Sequence, residues 1–340
     1  MLRYTIRRFV FAVPMLLMIS LIIFTILAFA PGDPAGALPL TIPAEVREAY
    51  RESLGLNDGF WFRWLKWVRA MFWYEPQHAI ESIGNFCIGD CIDPGERIIS
   101  FSSRSPAVDT IYERLPQTVW VLGLGLLFGI LIAIPIGIYS AYKQYSAFDN
   151  IGSFVSVVGW SMPVYWTGLI LIFIFSVNLK WFPSFYDTTH DVQLTSWTSI
   201  WIQIKQLAMP VTVLSLFNAA AFSRFTRASV LDNLNQDYVR TARSKGLREF
   251  LVVNRHVVRN SMIPVVTLIA LSSAGIFSGA ILTETVFRIN GTGSLLITAL
   301  GQADTPMLQT LTFFIAVMTV FFNIIADILY GLLDPRIRYD

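Results

Sequence analysis

Charge is scarce in this chain. Asp, Glu, Lys and Arg make up 14% of its 340 residues, whereas a soluble domain carries about a quarter. That shortage excludes an ordinary water-soluble globule, and the 54% of apolar residues with ten Trp point to a lipid solvent. The formal net charge of +2 is too small to imply a nucleic-acid partner, so the placement of basic residues carries more information than their number. Catalytic signatures are missing as well. There is no GxxxxGK(S/T) phosphate loop, no HExxH helix and no GxSxG elbow, which leaves no recognisable site for nucleotide hydrolysis and nothing that supports an enzyme active site. Cysteine is limited to Cys87 and Cys91, and histidine to His78, His190 and His256.

What the chain has instead is long apolar runs. The first, Phe9 to Ala30, exceeds the apolar core of a secretion signal and meets the ~20 residues that cross a bilayer, so a retained first helix is expected. Pro14 within it is tolerable where neighbouring helices satisfy the freed carbonyl. Further runs extend from Leu115 to Ala141, Ile151 to Leu179, Ala208 to about Phe222, Met262 to Phe287 and Thr310 to Leu333. About six spans are therefore expected, in an all-α polytopic membrane protein. The fourth is short, and Phe225 to Leu231 can continue its helix beyond the membrane.

Basic residues in short connections resist translocation. Arg3, Arg7 and Arg8, then Lys143, then the eight residues Arg224, Arg227, Arg240, Arg243, Lys245, Arg248, Arg255 and Arg259, and finally Arg336 and Arg338 all fall on one side if there are six spans. Both termini are then expected in the cytoplasm. The opposite side receives Pro31 to Arg114, Lys180 to Leu207 and Arg288 to Gln309.

The first external segment has structure of its own. IPAEVREAYRESLGLN offers Pro43 near a helix start and Gly55 as a terminator. In FWFRWLKWVRAMFWY, Trp61, Trp64, Trp67 and Trp73 alternate with Arg63, Lys66 and Arg69, a pattern suited to a helix lying at the lipid interface; a docking surface for a partner is the competing reading. Cys87 and Cys91, in CIGDC, could close a small disulfide loop outside the cytoplasm. A metal site there competes, although it needs more ligands than two thiols, and only His78 is near.

Ionisable residues are few inside the runs. Glu284 and Asp327 lie close to helix ends, where reaching interfacial water or pairing with neighbours is the ordinary role and a coupling-ion site the unusual one. Asn218, Ser272, Ser273 and Asn323 could line a pathway or bond between helices.

A protein with several spans and no energy source of its own, yet with a long basic loop, points to an external motor. That loop reads RFTRASVLDNLNQDYVRTARSKGLREF from Arg224. Asp237 can cap a helix beginning at Tyr238, and Gly246 can end it. A helix carrying Asp237, Arg240, Arg243 and Lys245 cannot cross the bilayer; from charge alone, it could rest on anionic lipid.

Arg240, Thr241 and Ala242 followed by Gly246 resemble the EAA---G coupling loop of ABC importer permeases, in the DYVRTARAKGL variant of the dipeptide and oligopeptide (peptide/nickel) group. The resemblance covers nearly the whole chain: MLRYTIRRFVFAVPML, APGDP, ERLPQTVWVLGLGLLFGILIAIPIGI, SMPVYWTGLILIFIFSVNLKWFP, ILTETVF and NIIADILYGLLDPRIRYD are similar, in order, to the first of the two permeases in such systems. Departures are Arg240 at the first Glu of the motif, NGTG at Asn290 to Gly293 for PGLG, ADTP at Ala303 to Pro306 for RDYP, and an enlarged segment around Cys87 to Ser105.

The resemblance implies a type I ABC importer permease fold and an importer of di- or oligopeptides, with nickel, glutathione or oligosaccharides as alternative solutes; an autonomous ion-coupled carrier is the reading from another class. It divides the chain into 1–30 with the first helix, 31–114 as the external segment with CIGDC, and 115–340 as the permease core with its loop at 224–261. It implies a second homologous permease, two ATP-binding subunits and an extracytoplasmic solute-binding protein as partners, with ATP and Mg held by the ATPases and no cofactor in this chain. Asp237, Tyr238, Arg240, Thr241, Ala242, Arg243, Lys245 and Gly246 are the residues it assigns to ATPase coupling, and it assigns none to substrate.

Overall fold

The computed structural model describes residues 2–30, 43–53, 55–84, 97–187 and 195–333. Among these residues the chain is helical, apart from one isolated antiparallel bridge between Ile99 and Pro106. Five helices among the described residues are long and apolar enough to cross a membrane, at Thr5–Phe29, Ala107–Tyr142, Trp197–Leu234, Glu249–Ser278 and Thr305–Leu329. A sixth span is formed if the bent pair Ala147–Ser161 and Val164–Asn178 counts as one. The all-α polytopic expectation holds, and Cys87 and Cys91 lie outside the described residues.

Two runs depart from the expected straight spans. The run Ile151 to Leu179 is α7 (Ala147–Ser161) and α8 (Val164–Leu171), bent by 100° at Met162-Pro163. The cause is local: proline disfavours helical backbone in the residue before it, and Met162 is extended with φ −78° and ψ 132°. Pro163 then serves as the N-cap of α8, where its missing N–H costs nothing. The run Met262 to Phe287 is interrupted likewise. The helix α12 (Arg259–Ala274) tightens into a 3-10 turn at Gly275–Ser278 and stops at Gly279, whose φ of +75° no helix accepts, before α13 (Ile281–Phe287). The fourth run, by contrast, is longer than its apolar part, and α9 (Trp197–Leu234) carries it well past Phe222.

The described chain divides into two compact units. One comprises Met1–Thr5, Gln117–Gly291 and Phe321–Asp340. Its spine is the pairing of α6 (Leu124–Tyr142) with α9. Gly125, Gly129, Ala133, Gly137 and Ala141 recur every fourth residue and are all buried, so a strip of minimal side chains lets the two backbones approach. A Cβ at Gly129 would stand 2.5 Å from the Cβ of Asn218, and one at Gly137 would stand 2.7 Å from the carbonyl of Ser223. Asn218 thus fills a helix contact. Ser272 and Ser273 donate to carbonyls of their own helix at Leu268 and Ile269, 2.8 and 2.9 Å, and link no neighbouring helix. Glu284, expected to reach water or pair, is fully buried and accepts from Thr118 Oγ1 at 3.3 Å.

The other unit comprises Ile6–Pro116 and Thr292–Val320. Its core gathers Trp67, Ala70, Ile98, Ile111, Leu311 and Phe313. The aromatic stretch forms α3 (Phe60–Arg69), a π-helical turn at Ala70–Tyr74 and α4 (Glu75–Gly84). Its tryptophans divide by role: Trp67 stands edge-on to Phe313 at 5.1 Å and is buried, Trp64 donates to Ser20 Oγ at 3.3 Å, and Trp61 and Trp73 are exposed. The interfacial reading therefore fits only the outer face of this helix. Asp304, in the ADTP variant, is buried and accepts from Ser100 Oγ, Phe101 N and both donors of Ser102 at 2.5 to 3.1 Å.

Candidate functional site: the short helix after the long α9

After Leu234 the chain turns through Asn235 and Gln236 into α10 (Asp237–Ser244). The N-cap is Gln236, with extended backbone (φ −75°, ψ 151°) and no side-chain cap bond. Asp237, expected as the cap, is the first helical residue. Its carboxylate still suits the positive helix end, although it accepts no capping bond. At the other end Lys245 N–H closes onto the Thr241 carbonyl at 3.2 Å and Gly246 N–H onto that of Arg243 at 2.9 Å. Gly246 then takes φ +74°, the left-handed conformation a glycine enters freely. A Cβ there would meet nothing within 4 Å, so the glycine answers to backbone shape alone.

A helix of eight residues does not hold together by itself in water. Here Val239 and Ala242, three apart on one face, are 0% and 6% exposed. They pack into a cluster with Ala141 at the end of α6, Val230 of α9, and Val252 and Val257 of the π-helical turn Val252–Val258. Half-buried Ile138, Leu231 and Leu234 surround it. Burying one Val contributes about 1.5–3 kcal/mol, enough to seat a two-turn helix on the ends of its neighbours. Local bonds add to it: Tyr238 OH donates to Asn233 Oδ1 at 2.5 Å, and Thr241 Oγ1 to the Asp237 carbonyl at 2.9 Å.

The outer face is charged and open. The Asp237 and Arg240 side chains are 98% and 73% exposed and only 3.7 Å apart, an i,i+3 contact of little energetic weight. Lys245 is exposed too. Arg243 differs, because Glu249 grips it in a two-point bond of 2.7 and 3.1 Å. That bond raises the Arg243 pKa further and leaves the guanidinium permanently charged. The pair bridges α10 to α11 (Glu249–Leu251) across the turn at Gly246. Sequence reasoning did not single out Phe250. It is 76% exposed, and with Leu247 and Leu251 it forms an apolar patch beside the charged face.

Below this helix a second polar contact ties α7 to α9. Arg227 Nε and Nη2 donate to the two carboxylate oxygens of Asp149 at 2.6 and 2.8 Å, and Tyr145 N–H donates to Asp149 at 2.9 Å. Arg227, one of the eight basic loop residues, thus spends its charge inside the chain. Ser229 Oγ donates to the Ser261 carbonyl at 2.8 Å, tying α9 to α12. Static contacts therefore join α10 to α6 and α9, and α9 in turn to α7 and α12. No group of three or more His, Cys, Asp or Glu among the described residues could hold a metal ion.

Comparison with known proteins agrees along the whole length. Residues 133–339 match the family described as binding-protein-dependent transport system inner membrane component, and residues 1–122 match its N-terminal membrane component. The oligopeptide transport system permease protein AppB of Bacillus subtilis is 36% identical over 338 residues, 99% of each chain. The dipeptide transport system permease protein DppB of Alkalihalophilus pseudofirmus is 30% identical over 355 residues, and the glutathione transport system permease protein GsiC of Escherichia coli 32% over 340; both alignments cover 100% of either chain. A crystal structure of an amino acid ABC transporter with histidines aligns at a TM-score of 0.47 and 14% identity, over 66% of this chain and 93% of that one. The chain belongs to the family of inner-membrane components of binding-protein-dependent transport systems.

Proposed function

We propose that this chain is the first of two homologous permease subunits in an ATP-driven importer of di- or oligopeptides. It would form half of the pathway. Full-length identity to peptide permeases is the observation that carries the reading. Both termini lie in the cytoplasm, 31–114 is the external segment, and 115–340 is the permease core with its loop at 224–261. Two ATP-binding subunits hold ATP and Mg, and an external solute-binding protein delivers the substrate.

In this reading α10 sits in a groove of an ATPase subunit. Asp237, Tyr238, Arg240, Thr241 and Lys245 face the partner, Ala242 seats the helix from within, Arg243 braces it through Glu249, and Gly246 turns the chain. Phe250 joins them as an apolar contact. Closure of the ATPases displaces α10 and, through its packing on α6 and α9, switches the pathway between inward-facing and outward-facing states. Purification in mild detergent tests the assembly: two ATPases and a second permease should co-purify. Recovery of the chain alone, active in transport after reconstitution, would overturn it. The full-length match to a glutathione permease keeps a small peptide-like solute as the second reading, and the ligand of the cognate binding protein separates the two.

A further inference from the structure

A groove of about 390 Å³ runs along one flank of the unit built on α6 and α9, between those helices and α7. Its floor is Ser156 and Gly159 of α7 with Ala220 of α9, short side chains that leave a furrow. Val155, Val158 and Leu216 line it and are exposed, so it opens sideways. The hydroxyls within it are occupied: Ser156 Oγ donates to the Gly152 carbonyl at 2.7 Å and lies 3.1 Å from Ser223 Oγ. An occupant therefore meets apolar surface, and an empty groove would forfeit its packing. At Ser156 and Ser223 the groove runs into a narrow notch lined by Arg224 and Arg227. Asp149 holds Arg227 at two points. Arg224 is exposed, rests over the Trp160 ring at 5.5 Å and is in no ion pair among the described residues. Asp149 is the sole carboxylate on α6, α7 and α8, and the one on α9, Asp232, lies about 12 Å beyond Arg224 along the helix. That end of the groove carries a surplus of one positive charge.

The lining on α9 extends from Val213 to Ser223, about 15 Å along the helix and half of the ~30 Å hydrocarbon core. Arg224 follows directly after the apolar run that ends near Phe222. This sets the cation at headgroup level and the far end of the groove at the bilayer midplane. Trp160, stacked on Phe217 of the lining at 4.7 Å, stands beside the cation as interfacial aromatics do. An apolar furrow one leaflet deep, with a cation at its mouth, fits a guest with an anionic head and an apolar tail. A crossing helix of another subunit would need about twice that length and would bring no anion to Arg224. We propose that the groove holds an acyl chain of an anionic phospholipid whose phosphate pairs with Arg224. Such binding needs only a chain that spans the bilayer, whatever solute it carries.

The test uses the full chain, with any partners that co-purify, in phosphatidylcholine liposomes. These carry a trace of phosphatidylglycerol with a diazirine halfway along one acyl chain, or of the phosphatidylcholine counterpart. After illumination, peptide mapping by mass spectrometry should find label on the lining segments 152–159 and 213–220, more from phosphatidylglycerol than from phosphatidylcholine. Arg224→Gln should cut the phosphatidylglycerol label there about fivefold, the weight of one basic residue beside an anionic headgroup, and leave the phosphatidylcholine label unchanged. Leu216→Trp, which fills the groove from its exposed side, should lower the label on 152–159 from both lipids. Label on the exposed apolar face of α1 (Leu2–Phe29) should be the same in all three proteins, which separates loss of the guest from loss of insertion or fold. Equal labelling of the groove by the two lipids in the wild type, or undiminished phosphatidylglycerol label in Arg224→Gln, would overturn the proposal. An unlabelled groove, with a benzophenone amino acid at position 155 crosslinking to the second permease, would overturn it in favour of a contact between subunits. No readout depends on peptide transport or on ATP hydrolysis.

Discussion

Gly246 shows how much one backbone angle decides. Its φ of +74° costs an L-residue about 1–2 kcal/mol, and the space around its missing Cβ is open. Substitution should therefore act through conformation, in a defined order. Gly246→Asn, which tolerates the left-handed region, should keep the most peptide uptake, Gly246→Ala less and Gly246→Val least, while membrane levels measured by immunoblot stay similar. An order set by side-chain volume alone would contradict the conformational cause. The Asp149–Arg227 pair behaves otherwise. Asp149 is buried and held at two points by Arg227, so Arg227→Gln leaves a buried carboxylate without its cation. A loss of about 3–5 kcal/mol is expected, read as a lower melting temperature in detergent, with Arg227→Lys in between. At this scale the sequence was partly legible. Gly246 announced its turn, but the cap at Gln236 in place of Asp237 and the Arg243–Glu249 bond did not follow from composition, since the first depends on the bend between α9 and α10 and the second on how the chain folds back after Gly246.

At the scale of elements, α10 has a buried face and an exposed face, to which the proposed coupling assigns separable roles. Val239→Asp places a charge in the cluster of Val230, Val252 and Val257, which should unseat the helix and abolish uptake. Arg240→Glu alters only the exposed face and should leave the fold intact. With the ATPases present, limited proteolysis near 237–246 should therefore increase for Val239→Asp and not for Arg240→Glu, while both lose peptide-stimulated ATP hydrolysis. Hydropathy located the long helices because apolar runs of about 20 residues have few alternatives. It did not locate the breaks at Met162-Pro163 and Gly279, which arise from one dipeptide and one dihedral. The buried strip from Gly125 to Ala141 was not read from the sequence, although its small residues stand at every fourth position. Without the facing residues of α9 its partner could not be named.

For the whole molecule, the orientation proposed from the placement of basic residues, with α10 in the cytoplasm and the segment before α5 (Ala107–Thr118) outside, is open to test. In a Cys87→Ser, Cys91→Ser background, Lys245→Cys should react with an impermeant maleimide only after the membrane is opened, and Ser103→Cys in intact spheroplasts. The reverse pattern would invert the topology. Family membership was legible because several motifs recur in order; the solute was not, because no residue here carries a recognisable substrate chemistry.

The most direct measurement is photo-crosslinking in native membranes with a benzophenone amino acid at position 240, where the Arg240 side chain stands 73% exposed. If α10 is the coupling element, light should join the chain to its ATPase, identifiable by mass spectrometry, and nucleotide should change the yield. Crosslinks to lipid alone, with the ATPase recovered uncrosslinked from the same complex, would show that α10 rests on the membrane and does not touch the motor.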